Sequence, residues 1–127
     1  MEILSTAENI QIMLDSESHI LYCRWFGPQQ PGVIQESATT ILRLIIRYKI
    51  ERILNDNTDV TGPYLDSSDW MATHWFPEVM REGVTHFAWV LSRNIFAEIS
   101  ALEAMPKSEK VCPFKSTQEA LLWLTDH

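Results

Sequence analysis

The eight residues from Val84 to Leu91, VTHFAWVL, decide the fold class because they are almost continuously apolar or aromatic. A strand with one face in water alternates polar and apolar side chains, whereas a strand covered by helices on both faces does not. The run therefore predicts a central strand in a sheet that has helices packed on both sides. The segments before and after it carry the patterns that those helices need.

Two strands and a long helix are predicted upstream of this run. Residues Asn9 to Leu14 alternate polar and apolar side chains, and His19 to Phe26, HILYCRWF, is rich in strand formers, so these segments predict a hairpin. Apolar residues then recur at spacings of four and three, as in an amphipathic helix. They are Ile34, Ala38, Ile41, Ile45 and Tyr48. Ile50 to Asp56 predicts a short strand after this helix.

Two further helices flank the central run. The spacing of the apolar residues predicts one helix from Ser67 to Arg81, with a kink or break at Pro77 and an end at Gly83. Ser92 to Asn94 predicts the start of the next helix, which ends before Pro106. The apolar residues of this second helix are Ile95, Phe96, Ile99 and Leu102.

The end of the chain supplies a last strand and a last helix. Lys110 to Lys115 predicts a short strand, and Pro113 confines that strand to a sheet edge because proline cannot donate to a neighbouring strand. Ser116 and Glu119 form a capping box that opens a helix running through Leu124. The order β-β-α-β-α-β-α-β-α predicts a single α/β domain over residues 1–127, with a small, mixed and mostly parallel sheet.

Composition excludes several classes of protein. A net charge of −7 argues against binding to a phosphate backbone, because such proteins display a basic face. The longest apolar runs fall far short of the roughly 18 to 20 residues that cross a bilayer. The first ten residues lack the basic and apolar regions of a secretory signal, so we expect a cytoplasmic protein. Cys23 and Cys112 match no zinc or redox spacing.

The segment from Asn55 to Met71, NDNTDVTGPYLDSSDWM, has the most distinctive polar chemistry of the chain. Within it, two hydroxyls lie between two carboxylates, in Asp66 to Asp69. Asp66 or Ser67 is a favourable N-cap residue, and a carboxylate at Asp69 in the first turn complements the helix dipole. The stretch is therefore interpreted first as the start of a helix. A phosphorylation site and a small-ligand contact are the alternatives.

The same segment resembles the STAS domains of anti-sigma factor antagonists, in which an Asp-Ser-Ser-Gly motif opens the helix after the strand that follows the first long helix. Asp66, Ser67 and Ser68 stand where the family has its Asp, Ser and Ser. The runs RILNDNTDVTG, GVTHFAWVLS and FKSTQEALLWL are similar to those of small bacterial STAS-like proteins of largely unassigned role. The resemblance implies a SpoIIAA-like fold, a regulatory partner of the kinase or anti-sigma type, and phosphorylation of Ser68.

A second candidate site follows from the predicted sheet. Ligands of open parallel sheets bind beyond the carboxyl ends of the strands, so the residues that follow adjacent strands are expected to gather there. The residues expected at a ligand or anion site are Asp56, Asn57, Ser67, Ser68, Ser92 and Arg93. An ion pair between Asp56 and Arg93 that joins two loops is the alternative interpretation.

Tryptophans give a third candidate. Indole is favoured where one edge stays wet, as at interfaces. Trp70, Trp75 and Phe76, on the helix after the serines, are therefore candidates for a dimer surface or an apolar pocket, and the alternative is simple packing of that helix on the sheet.

Chemistry beyond binding has little support in the sequence. The four histidines share no metal-ligand spacing, so no metal site is predicted. The chain has no Gly-x-Ser-x-Gly elbow, and four glycines are too few for a nucleotide cradle, so neither an enzyme nor a cofactor is expected. We therefore predict a non-catalytic regulatory or protein-interaction module that forms a homodimer. The alternative is a carrier or sensor of a small apolar or acyl ligand in a tryptophan-lined pocket.

Overall fold

The computed structural model describes residues 1–126, and His127 lies outside the described part. The strands are β1 (Glu2–Thr6), β2 (Ile10–Asp15), β3 (Ile20–Gly27), β4 (Arg52–Val60), β5 (His86–Val90) and β6 (Val111–Phe114). The α-helices are α1 (Pro31–Tyr48), α2 (Leu65–Trp70), α3 (Phe76–Arg81), α4 (Ile95–Ala104) and α5 (Thr117–Thr125). A π-helical turn, Met71–Trp75, joins α2 to α3.

All six strands belong to one sheet, in the order β1-β2-β3-β4-β5-β6. The first three strands are antiparallel, and β3 to β6 are parallel. The mixed and mostly parallel α/β sheet predicted from the sequence is therefore confirmed. Since each parallel strand lies beside the one before it, right-handed crossovers place the connecting helices on the same face.

The core consists of two layers of different thickness. On the thicker face, Phe87 and Trp89 of β5 pack with residues of α1, α3 and α4. On the thinner face, Ala88 and Val90 pack against α5. Burial of β5 on both faces confirms what its continuous apolar run predicted. The strand lies one place from the β6 edge, however, and the middle of the sheet is formed by β3 and β4.

Two strands differ from the sequence-based expectation. The edge strand β1, which the sequence did not predict, is largely exposed and pairs with β2 through an irregular register. Strand β4 continues to Val60 rather than ending at Asp56, because β3 keeps pairing with it as far as Gly27 beyond a register shift. The polar residues Asn57 and Asp59, whose types favour turns, are thereby held in extended backbone.

The expected break at Pro77 takes another form. The backbone remains helical from α2 through the π-helical turn to α3, and the amide of Phe76 donates to the carbonyl of Met71, five residues back. Pro77 lies just after this π-helical turn, in the first turn of α3. The wider turn accommodates a residue that cannot donate a hydrogen bond to the preceding turn of the helix. The expected end at Gly83 is confirmed, since Gly83 follows α3 with a φ of 99°.

Helix α4 is oriented contrary to the usual rule that the large apolar residues of a surface helix face the core. Its buried residues are all small: Ala97, Ser100, Ala101 and Ala104. Its four large apolar residues are exposed: Ile95 by 64%, Phe96 by 61%, Ile99 by 43% and Leu102 by 49%. We call these four residues the apolar ridge.

Candidate functional site

The Asp66–Asp69 stretch lies at the start of α2, but it does not cap that helix. The N-cap residue is Tyr64, and no side chain makes a capping hydrogen bond there. Asp66, Ser67 and Ser68 are inside the helix, so the prediction that Asp66 or Ser67 is the N-cap is wrong. The loop after β4 is shorter than the sequence suggested, because the strand runs to Val60 and the helix already begins at Leu65.

Ser68 is used to attach α2 to α4. Ser68 is 3% exposed, and its hydroxyl donates to the carbonyl oxygen of Ser100 at 2.9 Å. The Ser100 hydroxyl in turn accepts from the amide of Tyr64 at 2.8 Å. Asp69 is exposed. The described conformation therefore does not present Ser68 to a kinase, because its oxygen is buried and already bonded to a backbone carbonyl.

Tyr64 continues this buried polar network towards the sheet. Its phenolic oxygen accepts a hydrogen bond from the Asn57 amide at 2.7 Å. Burial raises the pKa of Tyr64, and the hydrogen bond from Asn57 offsets part of that rise. The phenol is therefore neutral at ordinary pH, and Asn57 serves to hold Tyr64 in place.

Four of the six residues expected at a ligand or anion site make hydrogen bonds to separate partners: Asp56, Asn57, Ser68 and Ser92. The Asp56 carboxylate accepts from the amide of Thr58 at 2.9 Å, and no ion pair joins it to the exposed Arg93 in residues 1–126. The observed ion pair at this edge is between Arg24 and Asp59, at 2.8 Å. The alternative of an Asp56–Arg93 ion pair is thus incorrect, since β4 extends past Asp56 and carries the loop further on.

Ser92 joins the loops after β4 and β5 in place of that ion pair. Its hydroxyl donates to the carbonyl of Val60 at 2.6 Å and accepts from the amide of Asn94 at 3.0 Å. Asn94 caps α4, as predicted for this segment, by accepting from the amides of Phe96 and Ala97. Ser67 is 1% exposed, and its hydroxyl has no hydrogen-bond partner in the described residues. These groups support the fold and form no common anion cradle.

A cavity lined by tryptophans lies under the start of α2. Its walls are Trp25, Gln29, Ile34, Asn55, Asn57, Val60, Tyr64, Met71 and Trp89. The volume open to the centre of a water molecule is about 10 Å³. That is roughly the space that one water needs, whereas drug-sized ligands occupy sites of about 300–1,000 Å³. In this conformation the cavity has no room for an acyl chain.

Two of the three aromatic residues expected at an interface are in the core. Trp75 is 3% exposed and Phe76 is 1% exposed, so their prediction as a dimer surface is wrong. The Trp75 indole donates to the carbonyl of Ala38 at 2.7 Å, and both rings pack edge to face on Phe87. Trp75 and Phe76 therefore follow the alternative interpretation, in which this helix simply packs on the sheet. Trp70 is partly exposed beside α1.

A groove between α2 and α4 continues the apolar ridge. Its volume is about 400 Å³, and it is lined by Leu65, Ser68, Asp69, Ala72, Ile99 and Glu103. We call it the α2–α4 groove. Leu65 is 51% exposed and extends the apolar surface onto α2, while Asp69 and Glu103 are exposed carboxylates. Ridge and groove together contain five of the ten exposed large apolar residues in residues 1–126: Leu65, Ile95, Phe96, Ile99 and Leu102.

Sequence reasoning did not identify this surface, although a signal was present. Small residues recur along α4 at i, i+3, i+4 and i+7, which is a complete helical face. A helix with one small and one large apolar face packs its small face closely, because two backbones can then approach each other. The buried Ser100 and its bonds to α2 fix that choice.

Comparison with known proteins supports the fold. The sequence matches no protein-family model and no curated protein. A similar solved structure is that of an uncharacterised protein of the DUF3478 family from Shewanella loihica, described as having a SpoIIAA-like fold. The TM-score is 0.52 at 13% sequence identity, over 95% of this chain and 98% of that chain. The protein thus has the SpoIIAA-like, STAS-like fold that the sequence predicted, and at this identity the similarity shows the fold alone.

No helix within residues 1–126 has both the length and the apolar character needed to cross a membrane. No group of three or more His, Cys, Asp or Glu side chains in the same range is arranged to hold a metal ion.

Proposed function

We propose that the protein is a non-catalytic regulatory module that binds another protein through the apolar ridge. The orientation of α4 is the observation that supports this function. Full burial of a large apolar side chain contributes about 1.5–3 kcal/mol of favourable free energy. The four large side chains of the ridge are exposed instead of packing in the core. Because these side chains are between 43% and 64% exposed, about half of that contribution is available to a complex.

The chemistry of the hydroxyl groups supports a role without catalysis. A serine nucleophile needs an adjacent base, such as a histidine or a carboxylate. Ser68 and Ser92 instead donate to the backbone carbonyls of Ser100 and Val60. These two hydroxyl groups therefore stabilise the fold through hydrogen bonds to the backbone.

Regulation in this proposal depends on which partner occupies the ridge. Phosphorylation of Ser68 is not included, because its hydroxyl is buried and bonded to α4. The homodimer expected from the sequence is not included either, because two of the three residues expected at its surface, Trp75 and Phe76, belong to the core. A tryptophan-lined acyl pocket is likewise not favoured, given its volume of about 10 Å³.

Site-specific photo-crosslinking tests the proposal. A photoreactive phenylalanine analogue replaces Phe96 on the ridge, and, as a control, Leu122 on α5, which is similarly exposed at 62%. We expect the ridge position to crosslink in cells to one identifiable protein, which then co-purifies with the wild type and not with Ile99→Glu. Equal crosslinking at the two positions, or none at Phe96, would refute the proposal.

A further inference from the structure

The charges around the apolar ridge indicate what kind of protein segment fits it. Three apolar residues, Leu65, Ala72 and Ile99, line the α2–α4 groove. Asp69 on α2 and Glu103 on α4 are exposed carboxylates that line the same groove. A groove lined by both apolar groups and carboxylates complements a surface that has both apolar residues and cations.

The charged residues on and beside α2 and α4 are mostly acidic. Asp66 is exposed on the first turn of α2, and Glu98 is partly exposed on α4. Arg93, just before α4, is the cation nearest in sequence to the ridge, and Lys107 follows the end of the helix. Carboxylates therefore outnumber the cations on and beside the two helices.

These charges disfavour a second copy of the chain on the ridge. In a two-fold dimer the same patch lies on both sides of the interface, so Asp69, Glu98 and Glu103 of one protomer would face an equally acidic patch on the other. Arg93 offers little compensation. The net charge of −7 adds a general repulsion between copies at low salt.

We propose that the α2–α4 groove and the apolar ridge bind a basic amphipathic helix of a partner protein. The α4 helix has ten residues and thus a length of about 15 Å. Ile95, Ile99 and Leu102 lie at i, i+4 and i+7, so their apolar side chains form a stripe along it. A partner helix of about three to four turns, with leucine-like residues on one face and lysines or arginines on its flanks, matches both the stripe and the carboxylates. This inference rests on the proposed function and specifies the chemistry of its partner.

Peptide binding tests the inference directly. The probe is a fluorescein-labelled helical peptide of about four turns, with leucines on one face and lysines on both flanks. Its charge control has glutamates in place of the lysines. We expect the lysine peptide to bind the wild-type protein in an anisotropy titration, and the glutamate peptide not to bind. Absence of lysine-peptide binding, or equal binding of both peptides, would overturn the proposal.

Variants of the protein separate a specific site from general attraction to an acidic chain. The double variant Asp69→Lys, Glu103→Lys is expected to weaken lysine-peptide binding by about tenfold or more. Glu2→Lys, Glu17→Lys changes the net charge equally at exposed positions outside the groove, and is expected to weaken it much less. Equal losses in the two double variants would contradict the groove site. Thermal unfolding verifies that all variants fold.

The crosslinking and peptide-binding results together distinguish this inference from the proposed function. If Phe96 crosslinks to a protein in cells but the lysine peptide does not bind, only the basic-helix chemistry fails. If neither result is obtained, the proposed function fails as well. Sedimentation of the wild-type protein alone tests the competing occupant: a dimer that Ile99→Glu dissociates would assign the ridge to a second copy and overturn the inference.

Discussion

Helices α1 and α4 both have apolar residues at helical spacing, yet they use them in opposite ways. In α1, Ile34, Ala38, Ile41 and Ile45 are at most 2% exposed. In α4 the large apolar residues of the ridge are between 43% and 64% exposed, and the alanines and Ser100 are buried. The difference teaches that spacing identifies a helix but does not by itself identify the face that packs.

The neighbours of the two helices explain the difference. The buried face of α1 contacts the broad apolar surface of the sheet and the Trp75 indole, which donates to the carbonyl of Ala38. Helix α4 packs beside α2, where the bonds of Ser100 to Tyr64 and Ser68 require a short separation. A face of alanines permits that approach, whereas isoleucine and phenylalanine would hold the helices apart. The large residues are thereby directed outward.

The largest predicted effect concerns the buried stripe of α1. Ile41→Ala removes three buried carbons from a residue that is fully buried, and we expect a loss of about 2–5 kcal/mol in the free energy of unfolding. The matched control on the same helix is Ile46→Ala, at a position that is 51% exposed, with an expected change within about 0.5 kcal/mol. Urea unfolding measures both. Similar losses would show that α1 packs through more than one face.

A smaller effect is expected where α4 packs through its alanines. Ala101→Leu adds three carbons at a fully buried position, and overpacking of this kind costs about 1–3 kcal/mol. Leu102→Ala removes the same group from the neighbouring, exposed position and should change the free energy of unfolding by about 0.5 kcal/mol or less. Urea unfolding measures both variants. If Leu102 were the residue that packs against the core, Leu102→Ala would cost more than Ala101→Leu.

The sequence predicts the parts of this fold that depend on local chemistry. The α1 stripe, the Asn94 cap, the edge position of the strand with Pro113 and the burial of both faces of β5 were all accessible from periodicity and residue type. The extension of β4 to Val60 was not, because it depends on pairing with β3, a long-range contact that overrides the turn preference of Asn57 and Asp59.

The candidate site was less predictable for the same reason. The Asp66–Asp69 stretch has the composition of a helix cap, but the helix begins at Leu65, and Ser68 lies inside it and bonds to Ser100. These two serines are 32 residues apart in sequence, so no local pattern connects them. The exposure of the ridge depends on the same Ser68–Ser100 contact, because that contact determines which side of α4 faces the core.

Loss of the α4 cap is expected to have a moderate effect on the free energy of unfolding. The cap stabilises the start of α4, the helix that carries the ridge. Asn94→Ala removes the acceptor for two amides and the donor to the carbonyl of Thr61, and should cost about 1 kcal/mol, with a range of about 0.5–2. Asn94→Asp keeps the acceptor oxygen and should retain most of the stability. Hydrogen exchange of the Phe96 and Ala97 amides should quicken in the alanine variant. Unchanged exchange would mean that the cap does not define the start of α4.

The smallest effect on stability is predicted for the ridge itself. The double variant Phe96→Gln, Leu102→Gln replaces two exposed apolar side chains with a residue of good helix propensity, so the free energy of unfolding should change by no more than about 0.5 kcal/mol per position. The binding of a hydrophobic dye to the native protein should fall, because the ridge is its attachment surface. A loss of stability as large as that of Ile41→Ala would show instead that the ridge contributes to the core, and α4 would then no longer differ from α1.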